Sequence, residues 1–336
     1  SASASVFGIG LRPKLEIVCD LSPDRASQRA TDLGFSRHTD KWQDVVNDPK
    51  VELISVCTPN NTHSEIAIAA LKKGKHVWCE KPMSSSMEDS QKMAEASLNT
   101  NAKTIIGYNY TKNPIVIHAK EIIEKGTIGR VSGFFCRYDV DNEADGKKPW
   151  SWRMSKKLSG TGANGDILSH VISIAHYLTN SKISRVVGDI SIIHNKRIDP
   201  KNIGKTKEVD NDDMVSALVH FENGVHGHIG ASRVSWGKKC GLTWEVHGTE
   251  GTICYNQERL NEIKLFTRQK DSSTDGFRTI LSGPDHPFYS SFLPNGGHGL
   301  GFMDVKICEL QGLLNSIEND KPTWPSFTDG LAIEKV

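Results

Sequence analysis

The stretch Val77-Trp78-Cys79-Glu80-Lys81-Pro82-Met83 decides how the chain is organised. Its apolar half is typical of a buried β-strand, which has to end at the charged pair and the proline. Two ionisable side chains therefore lie at the carboxyl end of a strand, the edge where open α/β sheets bind ligands. We interpret Lys81 as a proton donor and acceptor, because an ammonium group gives up its proton readily once it is desolvated. A lone lysine at a strand end is more often simply solvated. The interpretation of Lys81 therefore depends on the other candidate residues described below.

Length and composition narrow the class of protein. A chain of 336 residues exceeds one ordinary core and predicts two domains. The charges balance to a net +1, which gives no electrostatic case for a nucleic-acid or acidic-membrane partner. No apolar run approaches the roughly 20 residues that span a bilayer. The seven cysteines form no C-x-x-C pair, which favours a reducing, cytoplasmic location without disulfides or a zinc site.

The first 107 residues alternate strands with helices, which predicts βαβ units and a doubly wound parallel sheet of the Rossmann class. The predicted strands are Lys14–Asp20, Val51–Cys57, Lys75–Cys79 and Lys103–Gly107. A dinucleotide-binding domain also needs an initial strand followed by a glycine-rich turn. Gly8 and Gly10 follow no strand and open no helix, so we interpret them as loop glycines. We expect the first strand and its turn to lie upstream; the alternative is a sheet that never had them.

Residues 108–336 predict a different architecture, an α+β domain with a large, mostly antiparallel open sheet. A long helix is expected at Gly165–Leu178, and six further strands lie between Ile183 and Thr267. Asn223-Gly224 between two of these strands is a hairpin turn signal.

Several residues at predicted strand ends suit a nucleotide cofactor. Asp20 ends a strand and precedes a helix, where a carboxylate accepts hydrogen bonds from a ribose and repels a 2′-phosphate. This favours NAD over NADP, although Asp20 could simply cap the helix. A strand also runs into Thr58, Pro59 and Asn60, whose polar groups lie at the ligand edge, with His63 just beyond them. An ordinary strand-to-helix turn explains that segment equally well.

Asp166 and His170 form the second group of candidate residues. They stand four apart on one predicted helix and so project from one face. Histidine titrates near neutrality and can pass a proton to or from a hydroxyl. Trp152 and Arg153 precede this helix and could stack on a sugar ring and bind its hydroxyls. The alternatives are a helix-terminal acid with a surface histidine, and a buried loop anchor. No metal site is predicted, since the alternating His226 and His228 lack a third ligand.

Taken together, these residues resemble the Gfo/Idh/MocA family, that of glucose–fructose oxidoreductase and inositol dehydrogenase. The matching pieces run in family order over nearly the whole chain; the most specific are Glu80-Lys81-Pro82 and Asp166-x-x-x-His170. The weaker ones are Asp20, Thr58-Pro59-Asn60, Gly107-Tyr108-Asn109-Tyr110, Ile128-Gly129, Trp152-Arg153 and Val246-His247-Gly248-Thr249-Glu250-Gly251. The sequence departs from the family in lacking the N-terminal glycine fingerprint and in having Thr111 where many members have Arg.

The resemblance implies NAD(P)-linked hydride transfer at a hydroxyl carbon of a sugar or a cyclitol such as inositol. Lys81 and His170 would then handle the hydroxyl proton, Asp166 would orient the substrate, and Trp152 and Arg153 would line the site. It also implies that Asp20, Thr58, Pro59, Asn60, His63, Glu80, Lys81 and Asn109 bind the cofactor. A homodimer or homotetramer through the C-terminal sheet is expected. Two alternatives remain open: an NAD-using enzyme that cleaves or epimerises glycosides, and a non-catalytic nucleotide-binding regulator.

Overall fold

The computed structural model describes residues 10–202 and 204–336 and divides them into two compact units. The first unit contains the described residues up to Gly107 together with the segment Glu309–Leu331. The second contains Tyr108–Cys308 and Ala332–Val336. The prediction of one continuous second domain, 108–336, is therefore wrong for Glu309–Leu331. Gly8, interpreted above as a loop glycine, lies outside the described residues.

The first unit alternates short strands with helices, as predicted. Its elements in chain order are β1 (Ile17–Cys19), α1 (Pro23–Leu33), β2 (Arg37–Thr39), α2 (Trp42–Asn47), β3 (Leu53–Val56), α3 (His63–Lys72), β4 (His76–Cys79), α4 (Met87–Leu98) and β5 (Thr104–Ile106). Local chemistry sets their ends: Ser22 caps α1 by accepting a hydrogen bond from the Arg25 amide, and Gly34 ends that helix in a left-handed conformation.

The strands of the first unit lie in two parallel sheets. β1 pairs with β2, and β3, β4 and β5 pair in that order. Among the described residues no strand joins the two sheets, and the expectation that such a strand lies upstream remains a prediction. β2 was not predicted, because three residues are too few to show a period.

The segment Glu309–Leu331 belongs to the first unit because it covers the free edge of β5. The Ile106 amide donates a hydrogen bond to the Pro325 carbonyl over 2.9 Å, and the Thr323 hydroxyl donates to the Thr104 carbonyl over 2.6 Å. The Phe327 amide in turn donates to the Thr104 hydroxyl. An edge strand exposes unpaired backbone groups, so these contacts complete its hydrogen bonding.

The second unit holds one large sheet. Its elements are α5 (Pro114–Glu124), β6 (Val131–Asp139), α6 (Lys156–Ser159), α7 (Ser169–Thr179), β7 (Ile183–Ser191), β8 (Lys196–Ile198), β9 (Thr206–Glu208), β10 (Met214–Phe221), β11 (His226–Ser232), β12 (Gly241–Gly248), β13 (Gly251–Asn256), β14 (Glu262–Thr267) and β15 (Arg278–Leu281). The helix α8 (Phe302–Glu318) then runs into the first unit, and α9 (Phe327–Glu334) ends the chain.

Eight of these strands form the large sheet, in the order β15-β14-β13-β12-β6-β11-β10-β7. All neighbours are antiparallel except β6 and β11, which are parallel. The mostly antiparallel sheet is thus confirmed, as is the hairpin at Asn223-Gly224, where Gly224 has a φ of 85°. α7 packs against β6 and β11 and is buried along nearly its whole length.

Glycines in the family signature allow two backbone segments to approach closely. A Cβ on Gly248 would lie 2.0 Å from the Ile128 carbonyl oxygen, and one on Gly251 would lie 2.4 Å from the Phe266 oxygen. The Glu250 amide donates to the Ile128 carbonyl over 3.0 Å. The signature therefore has a packing explanation, since only glycine leaves room for this contact.

Replacing Gly248 by alanine is expected to lower the free energy of unfolding by about 1–3 kcal/mol, because the new methyl group overlaps the Ile128 carbonyl. Urea denaturation measures the change. The matched control is Gly276→Ala, where nothing lies within 4 Å of the new methyl group and a change within about 0.5 kcal/mol is expected. Equal losses in the two variants would contradict the packing explanation.

Candidate functional site

The turns after β3 and β4 lie at one edge of the three-stranded sheet. Val56 is paired with Cys79, and the Glu80 amide still donates to the Val56 carbonyl over 2.9 Å. Lys81 is therefore the first residue beyond the ladder and is half-buried. Thr58 and Pro59 leave the neighbouring strand at the same edge and are exposed. The sequence placed these residues correctly relative to their strands.

His63 links these two turns. Its ring is 1% exposed, with Nε2 2.8 Å from the Thr58 carbonyl oxygen and Nδ1 3.1 Å from that of Pro82. Both ring nitrogens are thus occupied by backbone carbonyls. The ring holds the turn of Thr58 against the turn of Lys81 and Pro82, a positioning role that differs from the predicted direct contact with the cofactor.

Asp20 follows β1 and forms an ion pair that the sequence did not reveal. One of its carboxylate oxygens accepts hydrogen bonds from Arg25 Nε and Nη2 over 3.1 and 2.8 Å, and from the Ser22 amide over 2.9 Å. These contacts, the Arg25 guanidinium first, hold the pKa of Asp20 below its usual value. Asp20 is therefore an ionised acceptor at neutral pH, as the binding of ribose hydroxyl groups requires.

Asn109 follows β5 and belongs to the second unit. Its side chain is 2% exposed, and its amide nitrogen has no hydrogen-bond partner within the described part of the chain. A buried amide without a partner is costly and usually marks a place where a ligand or water completes the hydrogen bonding. Taken separately, Asp20 as an ionised acceptor and Asn109 as a buried donor are each of the kind that binds part of a nucleotide cofactor.

Asp166 and His170 lie where the predicted helix begins. The helix is confirmed, but its first turn, Asn164–Leu168, is π-helical and runs directly into α7. Single π-helical turns occur frequently at functional sites. Asp166 is half-buried within this turn, and His170 is 5% exposed at the start of α7.

Three tyrosines surround the His170 ring. The ring centroids of Tyr110, Tyr108 and Tyr138 lie 4.6, 5.6 and 5.9 Å from that of His170. Tyr108 and Tyr110 appeared in the sequence only as part of a motif, and Tyr138 lies on β6 with no sequence signal of its own. The three rings hold the imidazole in a defined orientation.

The hydroxyl groups of Tyr110 and Tyr138 meet Cys240 in a closed polar cluster. The two phenol oxygens are 2.9 Å apart, and the Cys240 sulfur lies 3.6 Å from Tyr110 and 3.5 Å from Tyr138. Burial is the first cause that raises the pKa of each phenol. Both phenols therefore remain neutral and place uncharged groups beside His170.

Trp152 and Arg153 lie in a short 3₁₀ turn ahead of the π-helical turn. The Arg153 guanidinium stacks on the Trp152 ring, 4.5 Å from its centroid. Arg153 is exposed and Trp152 is half-buried. This pair presents one flat face and several hydrogen-bond donors, and its contact with a sugar stays a prediction.

The described residues contain neither a metal-binding cluster nor a membrane-spanning helix. No group of three or more His, Cys, Asp or Glu side chains within residues 10–202 and 204–336 is arranged to hold a metal ion. No helix in the same ranges is both long and apolar enough to cross a lipid bilayer.

Comparison with known proteins identifies the family. Residues 5–108 match the model of the oxidoreductase family with an NAD-binding Rossmann fold, and residues 116–254 match the GFO/IDH/MocA C-terminal domain. The chain is 34% identical to levoglucosan dehydrogenase of Pseudarthrobacter phenanthrenivorans over 96% of its own length and 85% of that protein. The chain belongs to the Gfo/Idh/MocA oxidoreductase family. A more distant member, myo-inositol 2-dehydrogenase of Thermotoga maritima, is 28% identical over 94% of this chain and 84% of that protein.

Solved structures of related proteins support the same family assignment. Levoglucosan dehydrogenase in complex with NADH and L-sorbose superposes with a TM-score of 0.93 at 34% identity, covering 99% of this chain and 90% of that one. An NAD-binding oxidoreductase from Klebsiella pneumoniae gives 0.95 at 36% identity, with 99% and 89% covered. The predicted fold and the predicted use of NAD are confirmed for the family.

Buried phenols make the stability depend on pH in the alkaline range. Burial raises the pKa of four of the six tyrosines: Tyr110, Tyr138, Tyr177 and Tyr255. Above about pH 10 the unfolded chain releases these protons while the folded chain keeps them, so stability falls by about 1.4 kcal/mol per pH unit for each such tyrosine. Ultraviolet titration should show fewer than half of the six tyrosines ionising near pH 10 until guanidinium unfolds the protein. Ionisation of all six in the folded state would contradict this.

Proposed function

We propose that the protein is an NAD-dependent dehydrogenase that oxidises a secondary hydroxyl group of a sugar or cyclitol. The observation that carries the proposal is the Asp166–His170 pair, with Asp166 in the π-helical turn and His170 at the start of α7 among three tyrosines. The half-buried Lys81 beyond β4 supports it. Relatives over nearly the whole chain act, by name, on levoglucosan and myo-inositol.

Several residues are assigned to the cofactor. Asp20 would accept hydrogen bonds from the adenosine ribose, and the buried amide of Asn109 would donate one. Thr58, Pro59, Asn60 and Glu80 would contact it at the sheet edge, while His63 holds the turns in place. When bound, NAD supplies an acceptor for the hydride that leaves the carbinol carbon.

Proton transfer falls to the chain's own residues. We assign Lys81 as the base that takes the hydroxyl proton and His170 as the group that shares it. Asp166 would accept hydrogen bonds from substrate hydroxyls and so orient the carbinol carbon. Trp152 and Arg153 would contact the sugar ring. A positioned base of this kind contributes about 10²–10⁴-fold to the rate.

The substrate class is proposed from the relatives' names. The first compounds to test are those named in the relatives' enzyme names: levoglucosan, myo-inositol, scyllo-inositol and glucose 6-phosphate. Each of these relatives is named as a dehydrogenase of one of the compounds. NADH absorbance at 340 nm reports turnover, and chromatography reports any product. Product without accumulation of NADH would favour the glycoside-cleaving or epimerising alternative.

Replacing Lys81 by methionine is expected to lower kcat by about 10²–10⁴-fold, because the base is lost while the shape of the side chain is kept. Binding of NAD, measured by calorimetry on the full-length enzyme, should weaken far less than kcat falls, because Lys81 would be only one of several residues that contact the cofactor. The control is Lys73→Met, at the exposed position just after α3, and this variant should have the wild-type kcat. Turnover by the Lys81 variant at the wild-type rate would contradict the assignment of Lys81 as the base.

We also propose that the protein forms a homodimer or homotetramer through the open face of the large sheet. Val187, Leu218 and Phe135 lie in one row across this face, where Val187 pairs with Leu218, and His228 separates Leu218 from Phe135. These three apolar side chains are 69%, 61% and 40% exposed. Exposed apolar rows of this kind mark interaction surfaces. A cytoplasmic location is supported by the seven cysteines, all of which are free thiols.

Replacing Leu218 by aspartate should convert the oligomer to monomers, because a charge buried in the interface is costly. Light scattering coupled to size exclusion measures the mass. Leu98→Asp, in α4 and 73% exposed, is the control and should leave the mass unchanged. An oligomer that persists in the Leu218 variant would argue against this interface.

A further inference from the structure

A buried polar segment at the start of β10 explains how the candidate catalytic residues are held. We propose that Asn211, Asp212 and Asp213, together with Arg233, are positioning residues that set the geometry of the loop 152–166. This inference rests on the proposed function, because that loop carries Trp152, Arg153 and Asp166. All three residues of the segment are at least nine-tenths buried.

Asp212 holds the start of the π-helical turn. One carboxylate oxygen accepts the Gly162 amide over 2.9 Å, and the other accepts the Asn164 amide over 2.6 Å. The main-chain oxygen of Asp212 accepts the amide of the intervening Ala163 over 2.9 Å. Three consecutive amides are therefore fixed by one residue, and Asp166 follows two positions later.

Gly162 shows how close this contact is. A Cβ built on Gly162 would lie 1.8 Å from the Asp212 carbonyl oxygen and 2.9 Å from its nitrogen. The two backbones touch, so no side chain fits at this position. Gly162 is therefore needed for the contact with Asp212.

Asn211 holds the other end of the loop. Its amide nitrogen donates to the Arg153 carbonyl over 2.7 Å and to the Ser159 hydroxyl over 2.9 Å. The Thr161 carbonyl lies 3.3 Å from the same nitrogen. The backbone of Arg153 is thereby fixed, and with it the starting point of the side chain that stacks on Trp152.

Asp213 and Arg233 anchor this segment in the sheet. The Arg233 guanidinium donates to the Asp213 carboxylate over 2.7 Å and to the Asn211 side-chain oxygen over 2.9 Å. The second Asp213 oxygen accepts the amides of Ile193 and His194. Both side chains of the ion pair are nearly fully buried, at 7% and 1% exposure. Because β10 is paired on both sides, the segment moves only with the sheet.

The two ends of the loop 152–166 are held by different residues, Asn211 at the Arg153 end and Asp212 at the Asp166 end. Asp212 supports the turn that carries Asp166 and runs into His170, the groups assigned to orientation and proton transfer. Asn211 supports Arg153, which is assigned to substrate contact. A misplacement of about 1 Å in such groups can cost on the order of 10²-fold in rate. The two supports should therefore affect different kinetic parameters.

The test uses Asp212→Asn and Asn211→Ser in the full-length enzyme. Asp212→Asn sets an amide group against backbone N–H donors and should lower kcat about 10²-fold with little change in KM for the sugar. Asn211→Ser should raise KM with a smaller effect on kcat. NAD binding, measured by calorimetry, should be unchanged in both. The control is Asp199→Asn, where the aspartate has comparable burial and its two carboxylate oxygens likewise accept one hydrogen bond each, from Lys201 and Asn202, in a loop without site residues.

A purely structural role would not produce this split, since general destabilisation moves both variants in the same way. Equal effects on kcat and KM in the two variants, or effects no larger than those of Asp199→Asn, would overturn the inference. Amide hydrogen exchange provides a readout that does not need activity: exchange at Gly162 or Asn164, whichever faces the new amide nitrogen, should accelerate at least tenfold in Asp212→Asn only. If wild type oxidises no sugar, the proposed function fails, while the exchange result still decides the role of Asp212.

Discussion

The buried ion pair between Asp213 and Arg233 is the interaction on which the second unit's functional surface depends. Two charges removed from water are tolerated only when their remaining hydrogen-bonding groups are satisfied. Asp213 meets this condition with two backbone amides, and Arg233 with Asn211 and the Arg153 carbonyl. The pair therefore forces a polar network to form around it. That network extends from the sheet into the segment 152–166, which contains only short helical turns.

The same logic operates in the first unit, where one buried side chain joins two turns. His63 joins two turns that emerge from neighbouring strands, and each turn contributes only a carbonyl oxygen. In both units, the residues assigned to catalysis or binding are therefore held in place by buried residues that have no such assignment. Burial of the supporting groups makes these networks rigid, because a polar group inside a protein has few alternative partners.

Features that depend on neighbouring residues could be predicted from the sequence. Short-range patterns predict the strand that ends before Glu80, the turn at Asn223-Gly224 and the helix that carries Asp166 and His170. The partners of these residues could not be predicted. Asp212 lies 50 positions from Gly162, and Cys240 lies 130 from Tyr110. No local periodicity encodes such pairs, and the tyrosines around His170 come from a turn and a strand that meet only in the fold.

The placement of Glu309–Leu331 has a consequence for how the protein is made. Chains emerge from the ribosome from the N-terminus, and domains that are continuous in sequence generally fold as they appear. Among the described residues, the outer edge of β5 is paired with Thr323, Pro325 and Phe327. This strand edge therefore stays open during synthesis until residues 323–327 have been added. The second unit, although later in sequence, is the first whose residues are almost all available.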